Sequence, residues 1–168
     1  MAAQSLLKRS PNMIKEVFTE KWLGHHAQIS VPLFLHFKAE FYAQVHGPFT
    51  TTDPNLGVNL SKYDVAGELI ASPDLITAIT TPAGPTKWIY DYYNEVVLAD
   101  ERRCLEDEAM KQLQVFPPLP AGTVIGRKEV VIRDGKCVVE IPDEVWAVWI
   151  EYERRGDGEL AKELGINI

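Results

Sequence analysis

A chain of 168 residues with 46% hydrophobic and 24% charged side chains has the length of one domain and the composition of a globular core. Its formal net charge of −7 excludes a general binder of nucleic acid or acidic membranes, because either needs a basic face. Cys104 and Cys137 stand alone and make neither a zinc pattern nor a disulfide framework, and no apolar run reaches the roughly 18 residues that span a bilayer. The expected setting is a reducing compartment, the cytoplasm.

The start, MAAQSLLKRSPNMIK, is basic, with no acid before Glu16. It has the composition of a transit peptide but neither the Arg-rich length of one nor a secretory apolar stretch, and reads as a frayed end. A first helix follows, with Ser10 as N-cap, Pro11 as first residue and Gly24 as stop. His25 and His26 then lie at its negative pole. A second helix is expected over residues 30–46, where Phe34, Phe37, Phe41 and Val45 recur at three and four, although LFLHF also alternates like a strand. Residues 47–60 form a turn-rich loop, either a packed surface loop or a lid. Ser61 is placed to cap a short helix, KYDVAGELIA, and Ser72-Pro73-Asp74 to open another, LITAIT.

Residues 85–114 contain no Gly or Pro after Pro85 and predict one long helix, the centre of the fold. Ile89, Tyr92, Tyr93, Val96, Ala99, Cys104 and Met110 share one stripe. Asp100, Arg103 and Asp107 interrupt that stripe at i, i+3 and i+7, so that Arg103 reaches both carboxylates. Such a trio suits an exposed helix end, a subunit interface or the wall of a polar pocket. Residues 117–122 are a proline-rich connector. Asp134-Gly135 predicts a type I′ turn at the tip of a hairpin over residues 128–141. Pro142 opens a helix over residues 143–155, closed by Gly156 and followed by a short tail helix, ELAKELGI. Its inner stripe is Val145, Val148, Trp149 and Tyr152, with Trp146 and Ile150 outside it.

The strand–helix–helix rhythm of residues 138–166 resembles the ribbon-helix-helix DNA-binding antitoxins. The resemblance covers about a sixth of the chain, the second helix is short, and acids outnumber bases from Arg127 onward. No DNA-contacting residue is carried across, and no nucleic-acid partner is expected.

The expected fold is α+β and mainly α: one domain, 1–168, with an N-terminal helical part (1–116), the connector (117–122) and a hairpin-plus-helix part (123–168). Glycine-rich phosphate loops, G-x-S-x-G, H-E-x-x-H, C-x-x-C and calcium-loop motifs are all absent from the sequence. The expected function is that of an accessory or structural subunit acting through protein contacts or as a homo-oligomer, with Leu98, Leu105, Trp146 and Ile150 at the interface. The alternative is a small enzyme or small-molecule-binding protein with a polar pocket between the 30–46 and 85–113 helices. It would use His36, Glu40, Tyr92, Arg103 and Asp107. His36 and Glu40, one turn apart, would ligate a metal only with help from His25 or His26, and no metal or cofactor is expected.

Overall fold

The computed structural model describes residues 3–163, with side chains to residue 158. In chain order it holds β1 (Ala3–Leu7), α1 (Lys15–Lys21), a π-helical turn (Trp22–His26), α2 (Ala27–His36), β2 (Phe41–Thr51) and β3 (Val65–Ile70). Then come α3 (Asp74–Thr80), α4 (Lys87–Tyr92), a second π turn (Tyr93–Val97), α5 (Leu98–Cys104) and α6 (Ala109–Val115). The chain closes with β4 (Leu119–Pro120), β5 (Val124–Arg133), β6 (Lys136–Cys137) and α7 (Asp143–Glu163).

The strands form one six-stranded antiparallel sheet in the order β4-β1-β3-β2-β5-β6. This overturns the mainly helical fold with a separate C-terminal hairpin. The segment expected to be frayed is β1, an interior strand. The helix expected after Ser61 is a single 3₁₀ turn followed by β3. The hairpin turn does form, with φ of 51° at Asp134 and 70° at Gly135, but β6 is two residues long and β5 pairs chiefly with β2. The sheet thus ends in two-residue edge strands containing a proline or a lysine, which blunts both edges against further pairing.

β1, β3 and the first half of β2 are covered on both faces, so none of them alternates cleanly between polar and apolar. One face carries Ser5, Leu7, Tyr42, Gln44, Val65, Gly67 and Leu69 toward the helices, as the registers Ser5↔Gly67↔Gln44 and Tyr42↔Leu69 require. The other face carries Leu6, Val45, Ala66 and Val124, covered by Phe49 from the far end of β2, by Leu56, Val58 and Leu60 from the segment before β3 and by Phe116 from the loop before β4. That face also buries Gln4 and Glu68. The Gln4 side-chain amide donates to Glu68 Oε1 (2.6 Å) and to Val124 O (2.9 Å) and accepts from Val124 N (2.8 Å). Lys128 Nζ completes the set on Glu68 Oε2 at 2.7 Å.

Two helix boundaries depart from their sequence signals. The helix through Gly24 continues as the first π turn into α2 and stops at His36, and β2 begins five residues later. Lys38 N–H bonds Leu35 O (2.9 Å) and Ala39 N–H bonds Phe34 O (2.9 Å), the paired C-terminal bonds of a Schellman motif with Lys38 at φ 54°. Glycine usually holds that position, so the sequence carried no stop signal. The long helix expected over 85–114 breaks at Leu105, whose backbone turns extended (φ −99°, ψ 158°) and bridges to Arg9. Conversely α7 runs through Gly156 and Gly158 as one helix, which removes the strand–helix–helix resemblance. The tail helix expected at 159–166 is, up to residue 163, the end of α7; its last residues lie outside those described.

Gly156 lets α7 lie directly against Trp88. A Cβ there would stand 2.2 Å from Trp88 Cδ1, and Trp88 itself is wedged against Trp149 with ring centroids 5.1 Å apart. Gly156→Ala is expected to cost about 1–3 kcal/mol through overpacking. Lys38→Gly is expected to stabilise by about 1 kcal/mol by relieving the left-handed backbone. Urea unfolding midpoints check both, and the two shifts should have opposite signs.

Candidate functional site

The two π turns face the same interior space. A π turn inserts a residue into an α-helix and redirects the side chains around it. Here the first and last residues of each turn, Trp22 and His26 on one helix and Tyr93 and Val97 on the other, line a cavity of about 170 Å³. The cavity lies between these helices and the helix-facing side of the sheet, with α3 and α6 closing it. Its walls are mostly apolar, including Leu33, Phe34, Leu69 and Ile79. On the sheet, Ser5 and Gly67 are small enough to leave room. A Cβ on Gly67 would meet no atom within 4 Å.

Two buried carboxyls at adjacent positions, Glu101 in the cavity wall and Asp100 behind His26, behave oppositely. Asp100 is 5% exposed, and its Oδ2 accepts from His26 Nδ1 at 3.1 Å. Arg103 (3.3 Å) and His25 (3.8 Å) flank Oδ1. Burial pushes the Asp100 carboxyl up, but the His26 hydrogen bond and the charges of His26, His25 and Arg103 outweigh it and hold the pKa below its ordinary value. Asp100 is therefore an anion, which fixes the proton on His26 Nδ1 and leaves Nε2 as the free ring nitrogen. The His26 ring is stacked on Trp22 at 3.6 Å between centroids and 10° between planes, so it cannot swing.

Glu101, also 5% exposed, lines the cavity. Burial raises its pKa, only partly opposed by the charge of His26 and by the Ala109 N–H that bonds Oε2 at 3.0 Å; Glu108 and Asp100 push it up further. Burial likewise raises the Tyr42 hydroxyl to about 12, and burial with the Glu101 charge raises that of Tyr93. Gln44 ties this end of the cavity together, donating to Trp22 O (2.9 Å) and Tyr42 Oη (3.0 Å) and bonding His46 Nε2 (3.1 Å). His46 is kept neutral, its pKa lowered to about 4 by burial and by the charges of Arg127 and Lys15.

Among the described residues, His26 Nε2, Glu101 Oε1 and Tyr93 Oη have no protein hydrogen-bond partner, and none of the three is sealed off as His46 Nδ1 is. All three residues line the cavity.

The residues singled out in the sequence are not gathered there. His36 ends α2 beside Trp88 and Trp149, and Glu40 is exposed beyond the chain reversal, so the pair shares no helix face. Tyr92 is fully buried and donates to Ile29 O at 2.7 Å. Arg103 is exposed on the outer side of Asp100, and Asp107, past the break at Leu105, pairs with Lys111. Of the residues assigned to a partner surface, Leu98 and Leu105 are core (6% and 3% exposed), Trp146 packs on the Tyr42–Ile132 cluster, and Ile150 is exposed. Among the described residues, no three His, Cys, Asp or Glu side chains converge as metal ligands, and no helix is long and apolar enough to cross a membrane. No family model matches the chain, and neither does any curated protein or solved structure.

The raised Glu101 carboxyl has a pH signature. The folded state binds this proton more tightly than the unfolded state, so its contribution to stability falls as pH rises from near the ordinary value of 4.5 through the folded pKa. Glu101→Gln removes the fall while keeping the shape and the acceptor for Ala109. The melting temperature of the variant relative to wild type should therefore climb between pH 4.5 and pH 8. A pH-independent difference would mean that Glu101 titrates as an ordinary carboxyl.

Proposed function

We propose that this chain binds a small, mostly apolar molecule carrying one polar group, held in the cavity between the π turns and the sheet. The observation behind it is that His26, Glu101 and Tyr93, each with a polar atom that has no protein partner, line a mostly apolar cavity. Buried polar groups cost free energy unless partnered, and a ligand's polar group would supply the partner. A cavity near 150 Å³ accommodates benzene, so the occupant has on the order of ten non-hydrogen atoms. Specificity would come from the polar end and affinity from the apolar walls.

This is the small-molecule reading, moved from the space expected between two helices to a space between helices and sheet. The accessory-subunit reading is not adopted, because Leu98, Leu105 and Trp146 serve this chain's own core and leave Ile150 and Val148 as its support. The free thiols of Cys104 and Cys137 favour the cytoplasm as the setting.

Gly67→Val tests the proposal, since the added side chain grows into open space from a β-strand position that valine favours. Wild-type protein is expected to show saturable NMR shifts of cavity methyl groups with acetophenone or p-cresol. The variant should melt higher and lose those shifts. Equal binding by Gly67→Val, or no shift with any such probe in the wild type, would overturn the reading.

A further inference from the structure

The open polar atoms of the cavity are of two chemical kinds. With Nδ1–H committed to Asp100, His26 Nε2 presents a lone pair. Glu101, as a carboxylic acid, and Tyr93 present O–H donors. Ser30, the hydroxyl one turn from His26, is committed to the His26 carbonyl at 2.9 Å, so it is not free to act as a nucleophile for that base. A ligand that satisfies both kinds of atom in so small a space must offer an acidic hydrogen and an acceptor a few bonds apart. A carbonyl compound with a hydrogen on the neighbouring carbon does so.

Resting on the ligand-binding reading above, we propose that the cavity catalyses reversible proton removal from the carbon next to a carbonyl group, with His26 as the base and Glu101 as the donor to the carbonyl oxygen. The C–H bond breaks, and its proton passes to His26 Nε2. The bonding pair forms the carbon–carbon double bond of the enol, while the carbonyl π pair moves onto oxygen, which takes the hydrogen bond or the proton of Glu101. Return of the proton to the same or a conjugated carbon completes exchange or isomerisation, with no oxidant or co-reactant consumed. Asp100 is a positioning residue: it holds the tautomer, and its anion stabilises the imidazolium that forms. The walls are mostly apolar, and beside them a fixed donor at the developing oxyanion counts for more than it would in bulk solvent.

The two carboxyls suit this division of labour. Asp100 accepts the His26 N–H, lies beside Arg103 and stays charged; Glu101 is driven toward its neutral form, the form able to donate. Tyr42 and Tyr93 remain phenols at neutral pH and add donors rather than charge.

The experiment follows hydrogen–deuterium exchange at the α-carbon of cyclohexanone and of acetophenone in D₂O by proton NMR, with full-length protein and, in parallel, probe binding by NMR shift. Wild type is expected to exchange at least tenfold faster than buffer with one of the two ketones. His26→Gln should bind the probe yet lose exchange by roughly 10²-fold or more, the usual contribution of a positioned base. Glu101→Gln should bind and lose about 10²-fold, as for loss of an oxyanion donor. Gly67→Val, folded but with the cavity filled, should lose both binding and exchange. Binding without exchange in the wild type would overturn the catalytic proposal and leave the binding reading standing. Exchange that persists in His26→Gln or Gly67→Val would overturn the assignment of base and cavity. Failure of the wild type to bind either ketone or p-cresol would overturn both.

Discussion

The pairing of residues 8–10 with residues 104–106 is the constraint from which the interior follows. Ser10 N–H bonds Cys104 O (2.7 Å), Glu106 N–H bonds Lys8 O (3.0 Å), and the Arg9–Leu105 bridge lies between them. A helix needs its last carbonyls satisfied, and here an extended strand end satisfies them where no glycine does. Leu105 then drops into the cluster of Leu7, Phe18, Trp22 and Val65. With the helix ended, the chain reverses, and Glu101 Oε2 takes the Ala109 amide at the first turn of α6. One carboxyl thus belongs to the helix junction and to the cavity wall together. Had the long helix continued, α6 would not close the cavity.

Asp100 and Glu101 are consecutive, equally buried, and pushed to opposite protonation preferences. The cause is direction. Asp100 points into a shell of His25, His26 and Arg103, whereas Glu101 points among tyrosines and apolar side chains and has one backbone donor. A buried ion pair alone is weak evidence of purpose, since such pairs often serve only structure. One carboxyl held toward its charged form and bonded to the His26 ring, and a second driven toward its neutral form in the same cavity wall as that ring, form an acid–base pair around one imidazole.

How far these features were legible in the sequence depends on what hid them. Capping chemistry was readable where it used ordinary residues: Ser72 before α3, the acids opening α7 and the Asp134-Gly135 turn. It was unreadable where Lys38 took a glycine's place or where Leu105 broke a helix through a distant partner. β1 and β3 escaped because both their faces are covered, which erases the period of two, and because Gln4 and Glu68 make buried strands look polar. Asp100 was noticed as a charge on an apolar stripe, and it is buried and paired. Glu101 was missed for a geometric reason. The extra residue of the second π turn advances the helix phase by about 100°, so the face downstream lies one position later than a regular helix predicts. His26, the last residue of the other π turn, was misplaced for a different reason: Gly24 read as a helix stop, whereas the helix continues through it.

The Gln4 amide also carries a consequence for the order in which the molecule is made. This side chain is synthesised well before its partners at Val124, which lie 120 residues further along. β1 finds β3 earlier, but its other edge waits for Leu119 and Pro120. At roughly 5–20 residues per second of synthesis, the first strand spends on the order of ten seconds with a polar side chain and one backbone edge unsatisfied. A glutamine there keeps water as an adequate partner during that wait, which leucine would not, and then exchanges it for Val124 when β5 arrives. The same residue thus protects the nascent chain and joins the first strand to the late-made part of the finished sheet.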